Sequence, residues 1–201
     1  RRAERIMVEL KDAPGEGVSA LGSSLTIKLL SDKPVNAPQF GIYSHRIGDK
    51  WLAGGASNTG GKVLAAHFSV ERIVELSKQI DPETDTGLDY YPLAKEGERF
   101  PISDPFLKPK MQPRPRDDAG FLKAIFEGIA DIEALGYRRL AELGCPPLSC
   151  VRSVGGGAVN AVWTRMRARR LGVPMLPALS AEAAAGTARL ALRGAREAGL
   201  I

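Results

Sequence analysis

The run Val151-Arg152-Ser153-Val154-Gly155-Gly156-Gly157-Ala158-Val159-Asn160 constrains this chain more than any other stretch. A short apolar strand runs into three glycines, and a helix pattern then continues from Asn160 to Leu171. A strand, a glycine turn and a helix start can bring backbone N–H groups and a helix dipole to an anion such as a phosphate. Gly172-Val173-Pro174-Met175-Leu176 follows as a short β run, and Ser180 opens an alanine-rich helix to about Arg193. Strand, helix, strand and helix in succession predict a βαβ connection and a mostly parallel sheet.

Two other turns share this chemistry. Val18 to Leu29 is two β-prone runs meeting at Gly22-Ser23-Ser24, a hairpin whose hydroxyls can bond local backbone or a ligand; the residues by themselves favour an ordinary turn. A second hairpin, Phe40 to Ala53 with its turn at Gly48-Asp49, leads into Gly54-Gly55-Ala56-Ser57-Asn58-Thr59-Gly60-Gly61, with four glycines in eight residues. That loop feeds a helix start and Lys62, the geometry for an anion, although Val63 after Lys62 breaks the P-loop pattern. Backbone room at a crowded turn is the competing explanation.

Between these turns the helices are legible from caps and periodicity. Residues 1–11 read as a short amphipathic helix ended by Pro14-Gly15, and Ser69 to Ile80 as a helix capped by Ser69. Asp117 to Leu143 carries the widest apolar stripe, with Gly128 and Gly136 as costs unless a neighbour packs close. Six prolines from Pro92 to Pro115 mark a long surface connection, in which Tyr90, Tyr91, Phe100, Ile102 and Phe106 call for burial. On the long helix Glu127, Asp131 and Glu133 are expected to be solvated charge.

At 201 residues with 44% hydrophobic content, the chain suffices for one domain or two small ones. A net charge of +5 suits an anionic ligand without requiring nucleic acid, and the arginines at 165, 167, 169 and 170 are the only basic run behind that alternative. Cys145 and Cys150 read as reduced thiols, and His45 and His67 as structural. No apolar run approaches the roughly 20 residues that span a bilayer, so no membrane partner is expected.

Gly22-Ser23-Ser24, the Gly54–Gly61 loop, and Gly155-Gly156-Gly157-Ala158-Val159-Asn160 followed by Leu171-Gly172-Val173-Pro174 together resemble the C-terminal half of an FGGY-family carbohydrate kinase over roughly residues 14–192. Leu88-Asp89-Tyr90-Tyr91-Pro92-Leu93 and Gly97-Glu98-Arg99-Phe100-Pro101 look most like the plant and cyanobacterial D-ribulose or xylulose kinases. The resemblance implies an α/β, actin-like ATPase (ribonuclease H-like) fold, with residues 14–201 as the nucleotide-binding domain and residues 1–13 as a divergent helix-like segment. It implies that Ser23 faces the γ-phosphate with Gly22 and Ser24 beside it, and that Gly61 approaches the phosphates. Gly156 and Asn160 would hold the adenosine end of ATP, on a turn shaped by Gly155 and Gly157. Mg²⁺ bridging the phosphates would balance the charge of phosphoryl transfer.

The same resemblance places a catalytic aspartate shortly before the glycine hairpin, where Arg1-Arg2-Ala3 stands, and gives most sugar contacts to an N-terminal kinase domain absent from this chain. The expectation is an ATP-binding half that does not phosphorylate sugar efficiently alone, from a longer cytoplasmic polypeptide, or a plastid one if a transit peptide lies upstream. A nucleotide- or partner-binding module descended from a sugar kinase is the alternative.

Overall fold

The computed structural model describes residues 13–178; the helices expected over residues 1–11 and from Ser180 to Arg193 lie outside the described residues. Strands β1 (Glu16–Leu21), β2 (Leu25–Ser31), β3 (Tyr43–Ile47), β4 (Lys50–Ala56), β5 (Cys150–Val154) and β6 (Met175–Leu176) form one sheet in the order β3-β4-β2-β1-β5-β6. The helices are α1 (Gly61–Ala65), α2 (Val70–Ser77), α3 (Asp118–Glu142) and α4 (Ala161–Leu171).

The mostly parallel sheet expected from the C-terminal pattern is corrected. Pairs β1–β2, β2–β4 and β3–β4 are antiparallel, and only β1–β5 and β5–β6 are parallel. The reason is local: the two hairpins close over short turns, which force antiparallel pairing, whereas α4 supplies the crossover that a parallel pair needs.

The Ser69 cap read from the sequence is made, and the helices that start after Asp117 and Asn160 are capped by those residues. Ser69 accepts from the Arg72 N–H, Asp117 from the Gly120 N–H at 2.7 Å, and Asn160 from the Trp163 N–H at 3.0 Å. Helix α3 lies against the sheet, burying Phe121, Leu122, Ile125, Phe126 and Ile129. Its glycines have close neighbours: a Cβ at Gly136 would meet the Phe100 ring at 2.6 Å, and one at Gly128 the Pro92 Cδ at 2.7 Å. Helix α4 packs on α3 through Trp163, stacked on Phe126 with ring centroids 4.6 Å apart and donating its indole N–H to the Phe126 carbonyl.

In the long connection Tyr90 and Phe100 are buried, and Tyr91 and Ile102 are half-buried. Phe106 departs from the expected burial and is 76% exposed, because it sits in an outer turn where its own N–H is bound by the Asp104 carboxylate. On the second face of the sheet Val18, Leu30, Leu52 and Val154 form a smaller cluster. Among the described residues no helix is long and apolar enough to cross a membrane.

Candidate functional site

Strand β4 is antiparallel to β2, and β2 to β1, so β1, β4 and β5 all run in one direction. The turns that follow them therefore emerge together at the carboxyl edge of the sheet, where open α/β sheets bind ligands. A cavity of about 550 Å³ lies there, lined by Gly22 and Ser23 from the first turn, Gly61 from the second, and Gly156, Gly157 and Asn160 from the third. Sequence positions more than a hundred residues apart are thus brought to one wall.

Two expected residues do not line it. Ser24 is buried, and its carbonyl accepts the Gly22 N–H at 3.3 Å, closing the hairpin. Gly155 faces a neighbouring cavity of about 490 Å³ with Ser153 and Met175; its φ of +95° and the Leu21 carbonyl 2.5 Å from where a Cβ would stand explain the glycine without a ligand.

The second glycine loop is shorter than the sequence suggests. Gly54 and Gly55 belong to β4, where a Cβ at Gly55 would strike the Phe100 ring at 2.4 Å, so these two glycines serve packing. The remaining turn clasps the hairpin: Gly61 N–H donates to the Gly22 carbonyl at 2.8 Å, Lys62 N–H to the Ser23 carbonyl at 3.1 Å, and Leu25 N–H to the Thr59 carbonyl at 2.8 Å. The first N–H groups of α1, read from the sequence as free for an anion, are spent on the hairpin. Gly61 contributes a rigid wall and close approach, since a Cβ there would meet the Gly22 carbonyl at 2.7 Å.

Gly22 and Gly156 stand apart from every glycine just described. A Cβ at Gly156 would meet nothing within 4 Å, and one at Gly22 only the Ser24 carbonyl at 3.9 Å. Neither has the positive φ that demands glycine. Packing explains neither absent side chain, and both line the cavity, leaving open room at its wall. Beside them the Ser23 hydroxyl is exposed and Lys62 lines the same end, a fit for an anionic group.

The other end is apolar and was not read from the sequence. Leu64, Ala65, Phe68, Val70, Ile73, Val74 and Val159 line it, with Val70 73%, Val74 53% and Val159 86% exposed. Large hydrophobics exposed around a cavity mouth mark a surface for a ligand or a protein partner rather than a core. The signal in sequence was the pair Val70 and Val74, four apart on the side of α2 opposite its buried Leu76. Asn160, besides capping α4, donates from Nδ2 to Ser77 Oγ at 2.8 Å and so ties α4 to α2 across the floor of the slot.

The ionic side chains correct one reading. Of the three helix carboxylates only Asp131 is exposed; Glu127 is buried and receives the Thr86 N–H at 3.0 Å and its hydroxyl, and Glu133 is buried against Arg167. Arg165 pairs with Glu83, Arg169 with Asp85, and Arg170 with Asp85 and Asp131, both at 3.1 Å. The arginines of the basic run are therefore each engaged with a carboxylate. Among the described residues no three His, Cys, Asp or Glu side chains gather as a metal site. An Mg²⁺ arriving with a nucleotide would be held by its phosphates.

The comparisons with known proteins give the family and the fold. Residues 17–195 match the model of the FGGY family of carbohydrate kinases, C-terminal domain, and the chain belongs to that family. A gluconokinase of Bacillus subtilis (strain 168) is 24% identical over 172 residues, 76% of this chain and 33% of its own length. A ligand-bound xylulose kinase from Lactobacillus acidophilus matches with a TM-score of 0.78 and 18% identity, covering 100% of this chain and 42% of that one. A Plasmodium falciparum glycerol kinase solved with ADP gives 0.79 and 16%, covering 94% and 40%. Likeness at such identities shows the fold, here the C-terminal domain of the actin-like ATPase architecture of sugar kinases. The chain spans about a third of the curated relative.

Proposed function

We propose that this chain is the ATP-binding half of a kinase that transfers the γ-phosphoryl group of ATP to a sugar hydroxyl, the sugar being a pentulose such as D-ribulose or D-xylulose. The observation that carries the reading is the pair of open glycines, Gly22 and Gly156, at opposite turns of one cavity with no packing reason to lack a side chain. In this reading the triphosphate lies along Gly22 and Ser23, the Ser23 hydroxyl donating to a phosphate oxygen, with Ser24 and Gly61 holding the hairpin in shape. The adenosine end lies over Gly156, Gly157 and Asn160, on a turn set by Gly155, with its base in the valine-lined slot of α2. Such a site works by positioning and by offering fixed donors to charge on the transferring group. Mg²⁺ bound to the phosphates would supply neutralisation of their charge.

The acceptor differs among gluconokinase, xylulose kinase and glycerol kinase while this domain persists, so the sugar is selected outside these turns. The pentulose reading is supported by the residues at 88–93 and 97–101 and by the xylulose kinase neighbour. The base that deprotonates the sugar hydroxyl is, in this reading, an aspartate lying shortly before the glycine hairpin, a position at which Arg1-Arg2-Ala3 stands in this chain. Isothermal titration of the chain with MgATP is expected to give weak, saturable binding displaced by ADP. A folded sample that takes up no nucleotide overturns the assignment.

A further inference from the structure

Glu98 lies outside the cavity lining, in the long connection, yet it is one of the most heavily engaged side chains of the molecule. It is 3% exposed. Its Oε1 accepts the N–H groups of Asn58 at 2.6 Å, Arg99 at 2.8 Å and Phe100 at 3.5 Å; its Oε2 accepts the hydroxyls of Ser57 at 2.6 Å and Tyr91 at 3.1 Å. A buried carboxylate is costly without such partners, and here two of the five come from the turn after β4.

The neighbours of Glu98 fasten the same turn. Asn58 donates from Nδ2 to the Gly97 carbonyl at 2.8 Å and accepts at Oδ1 from Arg99 Nε at 2.7 Å, while Thr59 Oγ1 donates to the Pro92 carbonyl at 2.6 Å. Ser57 Oγ also accepts the Thr59 N–H at 3.0 Å. The turn so held grips the hairpin from three points: Thr59 carbonyl to Leu25 N–H, Gly22 carbonyl to Gly61 N–H, and Ser23 carbonyl to Lys62 N–H. Hydrogen bonds from Glu98 to the turn, continued through the short backbone segment 59–62 and its bonds to the hairpin, therefore link Glu98 to Ser23, which lines the cavity.

We infer that Glu98 is a positioning residue for the phosphate-facing hairpin, acting through Ser57 and Asn58 and touching no nucleotide itself. This rests on the nucleotide reading of the cavity. The adenosine end, built from α2 and α4, has no bond in this set, so Glu98 acts on one end of the ligand only.

The test compares ATP with adenosine, each titrated into the wild-type chain and into Glu98→Gln, an isosteric change that puts a donating amide NH₂ in place of one acceptor oxygen, where hydroxyls and turn N–H groups are gathered. ATP affinity is expected to fall about ten-fold and adenosine affinity to stay within about two-fold. Ser57→Ala, which removes one donor while leaving the carboxylate buried, is expected to give a smaller loss of the same kind and serves if Glu98→Gln does not fold. Equal losses for both ligands, or no loss for either, in a folded variant overturn the positioning role. A folded wild type that binds neither ligand overturns the nucleotide site itself and the inference with it.

Discussion

Arg167 and Glu133 meet with both side chains wholly buried, Arg167 Nε 2.6 Å from Oε2 and Nη2 2.7 Å from Oε1, a two-pronged pair between α4 and α3. Arg167 Nη1 continues to Ser153 Oγ at 2.7 Å on β5, and Glu133 accepts the Ser19 hydroxyl on β1, so four elements share one charge pair. Removing one partner strands a buried charge: Arg167→Met is expected to cost about 3–5 kcal/mol in urea unfolding. The double change Glu133→Leu with Arg167→Met leaves no uncompensated charge and is expected to be more stable than Arg167→Met alone.

The glycines divide into two classes that substitution separates. Gly156→Val places its side chain in open space, so its melting temperature is expected to stay close to wild type while MgATP binding is lost. Gly136→Val drives methyl groups into Phe100 and Ile27, whose atoms stand 2.6 and 2.7 Å from where a Cβ would be, and is expected to destabilise by about 1–3 kcal/mol or more. Paired thermal melts and nucleotide titrations distinguish the two; a Gly156→Val protein that binds ATP like wild type removes the argument from open glycines.

Lys28 is 4% exposed on the second face of the sheet, its ammonium 4.0 Å from the Tyr43 ring centroid and 3.4 Å from the Gly54 carbonyl, with no carboxylate paired to it among the described residues. Burial pushes its pKa down from the ordinary 10.5 to about 8. Below about pH 8 both folded and unfolded chains hold the proton, and the burial cost is present in full. Between about 8 and 10.5 the folded chain has shed the proton and the unfolded chain has not, so stability contributed by this group rises with pH. Lys28→Met is therefore expected to be the more stable protein near about pH 7, with the difference narrowing near about pH 9.5. Urea midpoints of the two proteins at both pH values check this; the subtraction removes Tyr137 and Cys145, whose upward shifts oppose the trend.

What could be read in the sequence was local. Ser69, Asp117 and Asn160 announce helix starts because a cap and its N–H lie within three residues of one another, and Gly22-Ser23-Ser24 and Gly48-Asp49 announce hairpins for the same reason. Strand direction was misjudged because the βαβ pattern describes only β5, α4 and β6, while the pairings of β1 to β4 follow from their hairpins. Glu133 and Arg167 are 34 residues apart and Glu98 is 41 from Ser57, so nothing in the periodicity of a single helix or the composition of a proline-rich segment marks them as buried partners. The three turns were found together only through a family resemblance, since their common edge exists once β1, β4 and β5 run the same way.

The valine slot gives a test that separates the two ends of the cavity. Val74 is 53% exposed on α2, and its partner Val70 one turn earlier is 73% exposed, so neither contributes much to the core. Val74→Glu is expected to change stability by less than about 0.5 kcal/mol, as for other surface positions. In the slot, however, the carboxylate brings a charge against a planar apolar base, which costs desolvation on both sides when the ligand enters. Adenosine and ATP affinities are therefore expected to fall together, by about ten-fold or more, in isothermal titration. That common loss contrasts with the ATP-selective loss expected of Glu98→Gln. If Val74→Glu instead weakens ATP while leaving adenosine untouched, the base does not lie between α2 and Val159, and the two ends of the site have been assigned the wrong way round.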